Sequence, residues 1–292
     1  RASYGTQGNV NNKISPLAII QYPGAMNLFG HAFANIRKPA DPSLSWETIR
    51  HLNLGLDFGD ENHRVEGSLD WYDKRSDNVI FNAVQDASTG FNSMKRNSAS
   101  IRTRGVEATL RIKALDRAVK WQVRLGFNFI YNTVLAYALN DTQRTGLSGF
   151  VQNHVQAIYP LAGRPVYSVY SYPFAGLDPL TGDPLGWLGN EVSSDYYSII
   201  YKQSPDENNL MYHGPALPSY FGVWNNSFSW KRFGLATSIS YRLGHFYRKP
   251  ALNYYELYRY GVTHPDYLKR WMHPGDENIT AIPSRPEPGR ED

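Results

Sequence analysis

The chain has 292 residues, 41% hydrophobic and 19% charged, with 24 Gly, 18 Pro and 21 Tyr, room for one large domain or two small ones. Thirty basic against 26 acidic side chains leave a net charge of +4, and the Lys and Arg are scattered rather than striped, which sets nucleic acid aside as a partner. No apolar run approaches the ~18 residues of a membrane helix, which excludes a helical membrane protein but not a transmembrane barrel.

With no cysteine, disulfide frameworks, thiol catalysis and cysteine metal sites are also excluded. The opening Arg1-Ala2-Ser3-Tyr4 has neither a basic n-region nor an apolar h-region, so a signal peptide is expected, if anywhere, outside these residues.

In chain order, residues 1–8 read as a first strand and 9–46 as a long connection. Residues 47–58 read as a second strand, with Leu52, Leu54, Leu56 and Phe58 alternating with His51, Asn53, Gly55 and Asp57, the period of two that a strand with unlike faces shows. After a short turn at 59–62 the alternation resumes over 63–74: Val65, Gly67, Leu69 and Trp71 stand against Glu66, Ser68, Asp70 and Tyr72. That closes a hairpin. A long loop is expected at 75–98.

Strands at 101–113 and 119–133 then close through 114–118, their apolar parity running Val106, Ala108, Leu110, Ile112 and Trp121, Val123, Leu125, Phe127, Phe129, Tyr131. A very long loop spans 134–218. Strands at 219–230 and 233–246 meet at the two-residue turn Lys231-Arg232, a last loop covers 247–282, and 283–292 is a Pro-rich, charged loop or chain end.

Alternation alone also fits a soluble, secreted β-sandwich that binds carbohydrate or a host surface, with its apolar face turned inward. Position favours a membrane. On the apolar parity the residues nearest the short turns are Phe58, Trp121, Trp230 and Phe233, and those nearest the long loops are Trp71, Tyr131, Tyr220 and Tyr241. All eight are aromatic, like the two girdles of an outer-membrane barrel.

The ten residues from Trp121 to Tyr131 span roughly 23 Å at ~3.3 Å rise and ~45° tilt, close to the ~25 Å apolar band of such a barrel. Short and long connections alternate, as they do in membrane barrels. The reading is therefore all-β: an antiparallel transmembrane β-barrel wall. Seven strands are too few to close it, so the chain is expected to be part of a larger barrel.

Several strings now become recognisable together: Leu44-Ser45-Trp46-Glu47 ahead of a strand, Gly105-Val106-Glu107 within one, Ala175-Gly176-Leu177-Asp178-Pro179-Leu180-Thr181-Gly182-Asp183-Pro184, Leu217-Pro218-Ser219-Tyr220, and Arg270-Trp271-Met272-His273-Pro274-Gly275-Asp276-Glu277. In this order the chain resembles the SusC/RagA family of TonB-linked (TonB-dependent) outer-membrane transporters, over nearly its whole length. The resemblance implies a barrel of about 22 strands around a plug, of which residues 1–282 are part of the carboxy-terminal half.

It also implies a SusD-like surface lipoprotein as lid, the TonB complex acting through a plug and TonB box that these residues do not contain, and import of oligosaccharides or peptides across a Gram-negative outer membrane.

Other motifs are weighed on chemistry. Asp178 to Pro184 offers two carboxylates and a hydroxyl, but lacks the further carboxylates of a calcium loop; Pro179, Gly182 and Pro184 suit consecutive turns. Tyr159, Tyr167, Tyr170, Tyr172, Phe174 and Trp187 crowd the longest loop. Flat rings with polar edges stack on sugars or pack on partner proteins, so Tyr167, Tyr170, Tyr172, Phe174 and Trp187 are the candidate ligand or lid contacts, with a self-packed loop as the other reading.

Tyr254, Tyr255, Tyr258, Tyr260 and Tyr267 carry the same two readings. The eight histidines fall singly and no nucleophile elbow or phosphate-binding loop occurs, so no catalytic residue, metal or cofactor is expected.

Overall fold

The computed structural model describes residues 1–11, 14–24, 26–91, 93–137, 161–202 and 209–286. Tyr159, with residues 138–160 and 203–208 of the longest expected loop and 287–292 of the Pro-rich end, lies outside the described residues. The strands are β1 (Ala2–Asn9), β2 (Ile19–Gln21), β3 (Asn35–Lys38), β4 (Glu47–Gly59), β5 (Val65–Val84), β6 (Ser93–Asp116), β7 (Val119–Tyr137), β8 (Ser168–Ser171), β9 (Gly176–Leu177), β10 (Pro184–Leu188), β11 (Glu191–Ser193), β12 (Met211–Pro215), β13 (Tyr220–Trp230) and β14 (Phe233–Leu243). One α-helix follows, α1 (Tyr254–Tyr260).

The chain divides into two compact units. The first takes in the described parts of Arg1–Asn140, Pro160–Tyr167 and Leu217–His245, and the second the described parts of Ser168–Ala216 and Phe246–Asp292.

The first unit is built on one seven-stranded antiparallel sheet in the order β1-β4-β5-β6-β7-β13-β14. With the small strands of the long connections set aside, spatial order follows chain order, an up-and-down meander. The register carries one apolar row across six strands: Leu54 faces Trp71, Trp71 faces Val106, Val106 faces Phe129, Phe129 faces Tyr220, and Tyr220 faces Leu243. A one-residue slip anywhere would turn a whole strand's apolar set to the other face, so six agreeing strands fix the register together.

That face is open. Leu54 is 45% exposed, Leu56 61%, Trp224 44% and Ile239 54%, where a second sheet packed ~10 Å away would bury them. The β-sandwich alternative is overturned by this exposure, since no second sheet among the described residues covers the face; an uncovered apolar face on an antiparallel meander is the form of a transmembrane barrel wall. Close packing within the unit instead occurs away from that face, where Ala83, Ala99, Val134, Leu161 and Val166 are buried and the chain after 160 hydrogen-bonds back to β7 through Val134 N to Arg164 O at 2.9 Å. On the polar face the ring of Tyr72 lies over Gly105, its cross-strand partner, where any Cβ would collide with it; this is the packing reason for Gly at that strand position.

The strands overrun their expected ends. Residues 75–98, expected as a loop, are mostly strand: β5 continues to Val84 and β6 begins at Ser93, leaving a short connection with a 3-10 turn at Ala87–Thr89. β7 runs to Tyr137. Beyond the apolar band neither face of a ribbon meets hydrocarbon, so nothing imposes a period of two on the sequence, and Ser76-Asp77-Asn78 or Lys95-Arg96-Asn97 conceal the strands they form. The ladder there is also irregular, with register shifts between Ser76 and Ile80 and Asn78 at φ 58°. The first hairpin turns at 60–64 and the second at Arg117-Ala118, slightly displaced from 59–62 and 114–118, while Lys231-Arg232 turns as expected, with Lys231 at φ 52°.

The second unit has short pieces: β8 pairs with β12, β9, β10 and β11 form a three-stranded sheet, and α1 precedes 3-10 turns at Pro265–Lys269 and Asp276–Asn278.

Candidate functional site

The wall has two chemistries on two faces. Of the eight expected girdle residues, Phe58, Trp71, Tyr131, Tyr220, Trp230 and Phe233 are exposed, and Trp121 and Tyr241 half-buried, all on the apolar parity. They pack sideways: Trp121 stacks on Phe228 at 5.3 Å, and Phe129 meets Tyr220 at 5.0 Å. Trp121 also donates its indole N–H to Asn226 Oδ1 at 3.4 Å, giving the one amide carbonyl on that stretch of the apolar face a donor, since an unpaired amide away from water is costly.

The opposite face is charged and partly paired. Arg1 reaches Asp57 at 2.7 Å and Asp70 at 3.1 Å, and Arg111 reaches Glu66 at 3.1 Å, which His63 Nδ1 also meets at 2.6 Å. Glu66 and Asp70 are thus held in ion pairs on a regular strand.

In the second unit the two most distinctive strings of the sequence meet. Asp178 Oδ1 accepts the N–H groups of Leu180 at 2.7 Å and Thr181 at 3.0 Å, Gly182 N closes onto Asp178 O at 2.8 Å, and Asp183 Oδ2 accepts from the Thr181 hydroxyl at 2.6 Å. The carboxylates serve the turn itself, as an Asx turn does. Gly182 sits at φ 71°, a left-handed conformation, and the Trp271 ring occupies the space a Cβ would need. Trp271 is buried, donates to Glu277 at 3.2 Å, and exchanges backbone bonds around it: Trp271 N to Ile282 O at 3.0 Å and Ser284 N to Gly182 O at 2.9 Å.

Asp276 accepts from the N–H groups of Met272 and His273 at 2.9 and 3.0 Å, and these two donors hold its carboxyl below the usual carboxylate range. The part of the Pro-rich end that is described, 283–286, is pinned here as well.

Beside this lock lies a cleft of about 1090 Å³ between β8, β12 and the segment Phe246–Glu256. Arg248 donates to Tyr170 O at 2.8 Å, and Ser171 Oγ lies 2.7 Å from His213 Nε2. Asn253 caps α1 by accepting from Glu256 N at 3.2 Å, and Gly261, at φ 68°, closes it. Tyr254 donates to Pro283 O at 2.8 Å, and burial pushes its phenol up to about 12 despite the Arg270 guanidinium nearby. Around it Tyr258 and Tyr267 pack at 6.1 and 6.5 Å, and Arg270 lies 4.1 Å over the Tyr267 ring, a cation–π geometry. Tyr255 and Tyr260 remain exposed.

The candidate contact residues thus separate. Tyr170 and Tyr172 line the cleft, but Tyr170 is 2% exposed, its ring against Tyr212 at 5.5 Å, so it supports the cleft wall and offers no face to a ligand. Phe174 and Trp187 are exposed elsewhere in the same unit, and Tyr167 is half-buried in the first unit. Phe246, Arg248, Lys249 and Asn253 were not singled out by sequence reasoning, although an aromatic pair followed by two adjacent cations directly after the last strand is a readable signal.

Comparison with known proteins agrees with this geometry. The family described as TonB dependent receptor-like, beta-barrel, matches residues 1–268. TonB-dependent receptor P39 of Formosa agariphila is 26% identical over 173 residues, 59% of this chain and 16% of that protein. TonB-dependent receptor SusC of Bacteroides thetaiotaomicron is 28% identical over 121 residues, 40% of this chain and 12% of that one. Among solved structures, the RagAB peptide transporter superposes with a TM-score of 0.70 at 20% identity, covering 97% of this chain and 30% of that one.

The chain therefore spans less than a third of the proteins it matches. With the family matched over nearly the whole chain and an uncovered apolar sheet face in register across six strands, this chain belongs to the TonB dependent receptor-like, beta-barrel family.

Proposed function

We propose that this chain forms wall and outer loops of a SusC-like nutrient importer in the outer membrane of a Gram-negative bacterium, taking up oligosaccharides or peptides. The observation that carries this reading is the wall itself: an apolar face left exposed across six strands, backed by a charged, partly ion-paired face suited to a wet interior. The eight aromatic residues at the ends of the apolar face sit at the two membrane interfaces. The likeness to the RagAB peptide transporter and to SusC supports a SusD-like lipoprotein as lid and TonB as the energy source. Tyr167, Tyr172, Phe174 and Trp187 are its proposed ligand or lid contacts. The pairing of Glu66 and Asp70 with cations favours transport over enzymatic chemistry.

The test uses the full-length protein, extracted from outer membrane in detergent. Co-purification of a lipid-anchored partner, and uptake of labelled oligosaccharide or peptide that stops when TonB coupling is removed, are the expected results. A protein that stays monomeric in plain buffer, or uptake indifferent to TonB, overturns the reading.

A further inference from the structure

The apolar parity of the wall changes character toward the long connections. One step beyond Leu54, Trp71, Val106 and Phe129, the same face carries Leu52, Asp73, Arg104 and Tyr131 side by side. One step further it carries Arg50, Arg75, Arg102 and Thr133, so three guanidiniums stand directly opposite one another on β4, β5 and β6. Like charges in direct cross-strand register are destabilising. The neighbours compensate in part: Arg102 and Arg104 converge on Asp73, the latter at 3.5 Å, and Arg50 and Arg75 converge on Asp77, the latter at 3.0 Å.

Four cations to two carboxylates leave +2, and about twenty N–H donors face roughly eight carboxylate lone pairs. The two carboxylate side chains are 16% and 19% exposed while the four guanidinium side chains are 40–52% exposed, so the outer surface of the cluster is almost purely cationic.

Depth identifies what this surface meets. Tyr131, a girdle residue, shares the Asp73–Arg104 row, and Arg50, Arg75 and Arg102 lie one step of two residues beyond it, about 5 Å of height at ~3.3 Å rise and ~45° tilt, inside a headgroup zone roughly 5 to 8 Å thick on each side of the hydrocarbon. The arginines therefore leave the apolar band where lipid phosphates lie, on the side of the wall that faces lipid. Planar guanidiniums bind phosphate oxygens in pairs. We propose that Arg50, Arg75, Arg102 and Arg104 form a site for the phosphate groups of lipid headgroups in the leaflet next to the long connections, annular to the transporter. This rests on the barrel-wall fold and is independent of what the protein imports.

The test is native mass spectrometry of the full-length protein in non-ionic detergent, titrated with a bisphosphorylated glucosamine-disaccharide lipid or with its dephosphorylated counterpart. The phosphorylated lipid binds at least tenfold more tightly; R75Q/R102Q lowers that affinity roughly 25-fold at about fivefold per arginine; R75K/R102K keeps most of it; and R111Q, on the opposite face, leaves it unchanged. Far-UV circular dichroism confirms retained strand content, and should R75Q/R102Q fail to fold, Arg50→Gln alone shows the fivefold loss. Equal binding of the two lipids overturns the proposal, as does an equal loss from R111Q. Displacement by inorganic phosphate at concentrations matching the lipid also overturns it, by assigning the site to a free anion.

Discussion

The wall and the second unit use the same residue types for opposite ends. In the wall, Leu54, Leu56, Trp224 and Ile239 stand 44–61% exposed, while in the second unit Tyr170, Leu177, Ile199, Leu210 and Trp271 are 8% exposed or less. Along its apolar face the wall holds together through the backbone ladder between neighbouring strands, with its close packing elsewhere. The second unit gathers part of its aromatic and aliphatic groups into a small core and locks its loops by specific bonds, while Phe174 and Trp187 stay exposed on it.

The sharpest way to separate the two regions is to empty one packed site. Trp271 covers Gly182, bonds Glu277 and ties two strings about ninety residues apart in sequence. Trp271→Ala in the full-length protein is expected to destabilise the second unit by about 3–5 kcal/mol, seen as new protease cleavage within 176–184 and 268–284, while strand content in bilayers stays constant. Unaltered protection would mean that the second unit does not depend on a packed core. In the wall, Leu125→Arg is expected to cost about 2–4 kcal/mol at mid-depth, whereas Gln122→Arg, three residues away on the polar face, stays within about 0.5 kcal/mol. Guanidinium unfolding in vesicles measures both, and equal costs would show that the two faces share one solvent.

This contrast also explains what could be read from sequence. Between Leu52 and Phe58, or Trp121 and Tyr131, one face meets lipid and the other water, so the period of two is imposed residue by residue and the strands are legible. From Asp73 to Val84 and Ser93 to Ile101 neither face meets hydrocarbon; the ladder persists but the alternation does not, and a loop is what the sequence leads one to expect there. The site in the second unit is partly legible: the Asp178–Pro184 string announces its turns through Pro and Gly. Its partner Trp271, and the cleft made by Phe246, Arg248 and Asn253 beside Tyr170, depend on contacts between segments far apart in the chain, which no local period encodes. Tyr170 shows the converse error, an aromatic residue in a loop that is buried because the loop has its own core.

A smaller effect sharpens the same comparison at the edge of the cleft. Asn253 caps α1, and Asn253→Ala is expected to cost about 1 kcal/mol, read as faster amide exchange over Glu256 and Leu257 with no change in β13 or β14. Exchange that rises equally in the wall would tie the helix to the sheet and erase the division between the units.

The smallest expected signal lies in the phenol of Tyr254. Burial disfavours its charged form, raising the folded value to about 12 from an ordinary ~10. Because the neutral form is the one favoured in the folded state, its contribution to stability is complete below pH ~10 and is lost as pH rises through about 12. Ultraviolet difference titration of the full-length protein against Tyr254→Phe should remove one phenolate transition near pH 12 and leave the ordinary tyrosine transition in place. If the substitution instead removes a transition near pH 10, Tyr254 is solvated like the exposed Tyr255 and Tyr260, and the packing of this end of the second unit is looser than its ring contacts with Tyr258 and Tyr267 imply.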